Sequence, residues 1–189
     1  MTDSAKKISP TRIATYVALS VALIVVGAII KIPFALPMTL QFGVVALIVF
    51  LLGEYSAISL AVYIIMGLCG LPIFANGGGI SYLLQPSFGF VLGFLMACYP
   101  CGKILNPLPC GNRPSLKRKI TALVLFLTVV YLVGAIYFLL IQRVYLTTCI
   151  PLFSLLALAV FPTLWKDLLL CLLVLSIGGR LQSLVGLKK

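Results

Sequence analysis

A chain of 189 residues that is 62% hydrophobic and 9% charged, with a mean hydropathy of +1.24, carries more apolar side chain than a water-soluble fold of this length can cover. Its apolar runs approach the length of a bilayer crossing and are continuous rather than alternating, which predicts an all-α, multi-spanning membrane protein and excludes a transmembrane barrel. The net charge of +11 does not indicate a nucleic-acid partner, because the Lys and Arg residues fall between the apolar runs, as membrane topology requires.

In chain order, residues 1–11 form a polar tail, and the first apolar run is too long for a secretory leader and lacks its small-residue cleavage site. The chain is read as one integral membrane domain, 1–189, with crossings over residues 12–30, 39–53, 55–71, 84–102, 119–141 and 162–182. Ala14, Ala18 and Ala22 make a small-residue stripe on the first crossing, a face suited to packing inside the monomer or against another protein. The second and third crossings are short and separated only by Gly53-Glu54-Tyr55, which predicts a tight helical hairpin. Gly89, Gly93 and Ala97 make a similar stripe on the fourth, more suited to packing within the chain. Residues 103–118 read as an irregular connector with Pro steps and a basic cluster that anchors the next helix at anionic lipid headgroups.

Segment 144–161 either crosses as a seventh span or lies along the outer face. Charge favours six crossings. Both termini and the 103–118 connector then share the cytoplasmic side with eleven of the fourteen Lys and Arg residues, leaving only Lys31, Arg143 and Lys166 outside.

Three breaks interrupt the apolar pattern: Lys31–Phe42 with prolines at 33 and 37, Gly70–Pro86 with Asn76 and three consecutive glycines, and Phe161–Leu168. Irregular backbone at membrane depth is tolerated where it is buried in protein or lines a cavity, so such breaks point to a binding site. Six crossings put all three on the outer side, predicting an outward-facing ligand pocket. Asp167 is one of only three acidic residues, and an ionisable group within a crossing is a candidate functional residue. Its neighbour Lys166 either takes part in the site or snorkels to the interface. Asn76 offers donors and an acceptor, and Gly77 and Gly78 after it allow backbone to approach a ligand closely. Thr39 and Gln41 either add hydrogen bonds or serve helix capping and hairpin packing.

Several chemistries are excluded or weak. The chain has no His, so a His-containing zinc site and a Ser-His relay are absent, and no GxxxxGK[ST] occurs. Cys98-Tyr-Pro-Cys101 has the spacing of a thiol oxidoreductase pair, but its place in an apolar helix on the cytoplasmic side argues against that chemistry. Neither enzymatic activity nor a cofactor is expected.

The stretches GAIIKIPFALPMTLQ (27–41) and GLCGLPIFANGGGISYLLQPSFGFVLGF (67–94) resemble the first-loop and third-loop signatures of the BioY family. Tyr131, Gly134 and Tyr137 resemble its fifth-helix YxxGxxW pattern, and Pro162–Asp167 its sixth-helix PFxPGD pattern, so the likeness runs over about residues 12–185. The resemblance implies a six-helix biotin-binding S-component of an energy-coupling-factor transporter in a bacterial cytoplasmic membrane, working with a transmembrane coupling subunit and two ATPases. It implies that Asn76 is the third-loop polar ligand, that Asp167 is the family acid, and that Ala14, Ala18 and Ala22 dock on the coupling subunit. Gly77, Gly78, Tyr82 and Tyr137, on the matched stretches, join the candidate ligand-binding residues. The family often carries Lys three positions after the acid. Here that position is Leu170, and Lys166, standing at the motif Gly, is the candidate replacement cation. Thr163, Leu164, Trp165, Gln85 and Phe88 also depart from the pattern. An S-component for a different vitamin is the alternative.

Overall fold

The computed structural model describes residues 9–32, 38–105, 114–144 and 161–184. The tail to residue 8, the prolines at 33 and 37, residues 106–113 of the basic connector and segment 145–160 lie outside the described residues.

The described chain is helical apart from one very short ribbon. Helix α1 (Pro10–Ile29) begins at a proline, whose missing N–H costs nothing in a first helical turn. Ile30 then turns extended and leads into β1 (Lys31–Ile32), which pairs antiparallel with β2 (Met38–Thr39) so that Lys31 lies opposite Thr39. Helix α2 (Gln41–Leu52) and helix α3 (Ser56–Leu68) are joined by a 3-10 turn at Gly53–Tyr55. A second 3-10 turn, Ile80–Leu84, precedes α4 (Phe88–Leu105), which is followed by α5 (Leu116–Val144) and α6 (Phe161–Leu184). The expected fourth crossing starts four residues late because Pro86 cannot supply a helical N–H and biases Gln85 to the extended backbone seen there.

Four stretches among the described residues are long and apolar enough to cross a membrane, one of them Gln41–Leu68. That stretch folds back on itself. The Gln41 amide nitrogen lies 3.3 Å from the Tyr63 hydroxyl, whereas a continuous helix would hold these residues about 33 Å apart at 1.5 Å per residue. Gly53 makes the reversal with φ +60° and ψ −130°, a conformation open to glycine and costly for other residues.

Close helix contacts are set by small residues. A Cβ on Gly93 would come within 2.9 Å of the Val130 backbone, one on Gly89 would collide with the Tyr137 ring, and one on Gly134 with the Phe90 ring. Glycine on one helix thus receives a bulky side chain or the backbone of the other, which is how membrane helices gain packing energy without a hydrophobic drive between them. At the hairpin-turn end, Gly102 lies directly on the Gly53–Glu54 backbone. Phe42, Phe94 and Phe126 close the centre, with ring centroids 5.3 to 6.1 Å apart. Outward, Leu19, Leu23, Leu132, Ile136, Leu140 and Leu172 are all exposed. Apolar surface on this scale is stable only in lipid, and the protein is membrane-embedded.

Candidate functional site

The three backbone breaks meet at one end of the bundle. Lys31, on the first ribbon, donates from Nζ to Asn76 Oδ1 at 2.9 Å. Lys166, in the first turns of α6, donates to the Thr39 backbone carbonyl at 2.6 Å. Because Lys31 and Thr39 form one register pair, a single rung of the ribbon is tied both to the third loop and to α6.

The third loop owes its shape to glycine and aromatic packing. Phe74 and Gly77 exchange two backbone hydrogen bonds, at 2.9 and 3.2 Å, around a tight turn with Asn76 at its exposed tip. Gly77 sits at φ +112° and Gly79 at φ +98°. Gly78 lies so close to the Leu71 carbonyl that no side chain fits between them. Below the turn, the Phe74 ring packs over Gly67 and against Tyr63, Tyr82 and Phe88. Tyr82 is 3% exposed, so its ring serves chiefly as floor. Burial raises the pKa of its phenol, opposed by hydrogen bonds with the Ser87 side chain and the Asn76 backbone. Tyr137 donates to the Leu83 carbonyl, fastening the far end of the loop to α5.

Asp167 lies beneath the ribbon and is 3% exposed. Its Oδ2 accepts from the Tyr131 hydroxyl on α5 at 2.8 Å. Its Oδ1 lies 2.9 Å from Lys166 Nζ, close enough to pair in charge, yet it accepts no directed hydrogen bond among the described residues. A buried carboxylate oxygen paired with one ammonium keeps lone-pair capacity for a further donor. Tyr131 therefore holds one carboxylate oxygen while Lys166 pairs with the other. Replacing Tyr131 with Phe is expected to lower stability by about 1.5–3 kcal/mol, the worth of a hydrogen bond to a charged group. Thermal unfolding in detergent measures this, and an unchanged transition would remove Tyr131 from the role.

The residues expected at the site are thus brought to one end, in different ways. Asp167, Lys166 and Asn76 present polar atoms there. Thr39 contributes its backbone carbonyl. Gln41 is 5% exposed and is engaged with Tyr63, whose hydroxyl also donates to the Ile73 carbonyl at 3.2 Å; it braces the hairpin beneath the third loop. Gly77 and Gly78 shape the turn, and Tyr82 and Tyr137 support it. Leu170, three positions after the acid, packs on Gly43 of α2, and the cation beside Asp167 is Lys166. Sequence reasoning did not place Lys31, Tyr63 or Tyr131 in the site. The available signals were a lysine inside the first break and tyrosines within otherwise apolar helices. Cys98 and Cys101 are free and buried, near Ser56 at the opposite, hairpin-turn end.

Comparison with known proteins agrees with this arrangement. A "Probable biotin transporter BioY" from Lysinibacillus sphaericus is 42% identical over 123 residues, covering 64% of this chain and 61% of that protein. A "Biotin transporter BioY" from Thermotoga maritima is 43% identical over 84 residues, covering 43% of this chain and 50% of that protein. The matched stretches therefore span about half to three fifths of these relatives' lengths. A crystal structure of the S-component for biotin from an ECF-type ABC transporter superimposes with a TM-score of 0.74 at 25% identity, covering 97% of this chain and 95% of that one. The model of the BioY family matches residues 1–186, which takes in the ribbon, the glycine turn and the Lys166-Asp167 pair alike, and the chain belongs to the BioY family.

Proposed function

We propose that this protein captures biotin as the S-component of an energy-coupling-factor transporter and releases it inward when a transmembrane coupling subunit and two ATPases act on it. The observation that carries this reading is the buried Asp167 carboxylate beside the strapped ribbon, with Oδ2 braced by Tyr131 and Oδ1 paired with Lys166 alone among the described residues. Biotin offers what such a site needs: two ureido N–H donors and an acceptor, an apolar bicycle and tail, and one carboxylate. A mostly apolar site with a few convergent polar groups suits it. In this reading Asp167 Oδ1 accepts a ureido N–H, the Phe74–Tyr82–Phe88 cluster underlies the apolar part, and the glycine turn folds over it.

The same reading makes 1–189 a single domain of six crossings in a bacterial cytoplasmic membrane, with both termini cytoplasmic and the pocket opening outward. Ala14, Ala18 and Ala22 are exposed along one face of α1, and their four-residue spacing keeps them in line. A strip without long side chains admits another helix closely, and this is the face proposed to dock on the coupling subunit. The thiol oxidoreductase alternative loses ground because both candidate thiols are buried away from the polar end.

A vitamin panel tests the assignment. A ligand that binds only the folded state raises its apparent stability in proportion to the logarithm of concentration over Kd. Biotin is expected to raise the unfolding temperature of the purified protein where other vitamins do not. Stabilisation by another vitamin and not by biotin would reassign the substrate.

A further inference from the structure

We infer that Lys31 is a specificity-determining residue: its ammonium exchanges the Asn76 side-chain oxygen for the carboxylate of the bound ligand. This rests on the biotin reading and adds a residue to it. The groups that touch at this end of the bundle carry two ammoniums, Lys31 and Lys166, and one carboxylate, Asp167. Among the described residues, the set joined in this way is left with one positive charge, the complement of a ligand with a single carboxylate; exposed Arg143 in the last turn of α5 lies outside that set.

The two cations are differently committed. Lys166 is held by Asp167 beside it and by the Thr39 carbonyl. Lys31 is held by a neutral amide oxygen at an exposed position. Among the described residues the other acidic side chain, Glu54, sits at the hairpin-turn end and supplies no alternative there. An ammonium bonded to an amide gains on exchange for a carboxylate, since a hydrogen bond charged on both sides is shorter and stronger than one charged on one side. Lys also suits the exchange mechanically, because its flexible stem carries three donors that swing without disturbing the backbone. The rung that anchors Lys31 is fixed on its other strand by Lys166, so only the side chain has to move. With ligand absent, the Lys31–Asn76 bond spans from the ribbon to the third loop. With ligand present, the same ammonium closes over the carboxylate, and Asn76 is released to bond to the ligand.

The test compares biotin with biotinamide, its neutral analogue, by titration calorimetry on the full chain in detergent. Lys31→Met is expected to weaken biotin binding about 10- to 100-fold and biotinamide binding less than about threefold, because only the charged ligand loses a charge-assisted bond. Lys31→Arg, which keeps the charge, is expected to retain most of the preference for biotin. Equal losses for the two ligands, or no loss for biotin, would overturn the role of Lys31 while leaving biotin capture intact. Wild-type protein that binds neither ligand would instead overturn the functional assignment beneath it.

Discussion

Replacing Asp167 with Asn is expected to weaken the proposed biotin binding by about 10- to 100-fold, the worth of one hydrogen bond to a desolvated charge. The substitution is nearly isosteric and keeps an acceptor for the Tyr131 hydroxyl, so the packing beneath the ribbon is retained. What changes is the charge. An amide oxygen accepts a ureido N–H less strongly than a carboxylate oxygen, and the amide's own N–H₂ group faces the ligand donors unfavourably if it takes the Oδ1 position. Lys166 also loses the carboxylate it pairs with. It keeps the Thr39 carbonyl and is 15% exposed, so water moderates the cost, and a drop of a few degrees in the unfolding temperature of the free protein accompanies the affinity loss. Calorimetric titration separates the two effects. Full affinity in Asp167→Asn protein would take this carboxylate out of the ligand's contacts.

The second large effect is expected at Gly78. A methyl group there would meet the Leu71 carbonyl oxygen and carbon. Both are backbone atoms, which cannot rotate aside as a side chain tip does. The neighbouring backbone is equally committed, since the Gly67 carbonyl accepts from the N–H of Gly79 at 2.8 Å and of Gly70 at 3.2 Å. Gly78→Ala therefore forces the turn off the end of α3. Overpacking of this kind costs about 1–3 kcal/mol. The same shift lifts Phe74 from Gly67 and displaces Asn76, so the proposed biotin affinity is expected to fall by roughly the same energy, about 5- to 150-fold. Gly77→Ala is the informative comparison. Its Cβ would meet open space, and only its φ of +112° resists substitution. The expected order of damage to thermal stability is Gly78→Ala above Gly77→Ala, and the reverse order would show that backbone conformation, not contact, governs the turn.

The long apolar helices were legible because continuous apolar length marks them, and the hairpin because Gly53-Glu54-Tyr55 leaves no room for a longer connection. The glycine turn was legible for the same kind of local reason: three consecutive glycines demand unusual backbone. The convergence of the breaks also followed from charge asymmetry, and the Lys31–Asn76 and Lys166–Thr39 bonds now join them. What a linear reading could not supply was pairing across the bundle. Tyr131 meets Asp167 over 36 positions and Gln41 meets Tyr63 over 22, and no local pattern marks such partners. Tyr82 illustrates the converse. It sits in a loop and read as a contact residue, yet two aromatic neighbours from other positions, Phe74 and Phe88, pack on its buried ring.

The shortness of the α2–α3 hairpin has an electrostatic consequence. Its turn carries exposed Glu54, which faces exposed Lys103, and such charges belong at the headgroups. From there α2 rises through only twelve residues, about 18 Å of helix, in a hydrocarbon layer about 30 Å thick. In the proposed placement, with this turn at one headgroup layer, the rung of Lys31 and Thr39 and the carboxylate beneath it stand below the opposite membrane surface. Their surroundings have a lower permittivity than bulk water, where a Coulomb contact at about 4 Å is worth several times its aqueous value of roughly 1 kcal/mol. In that placement the shielded Lys166–Asp167 pair, 15% and 4% exposed, acts on a ligand more strongly than the same charges would at the rim, and dissolved salt screens it less than it screens exposed Lys31.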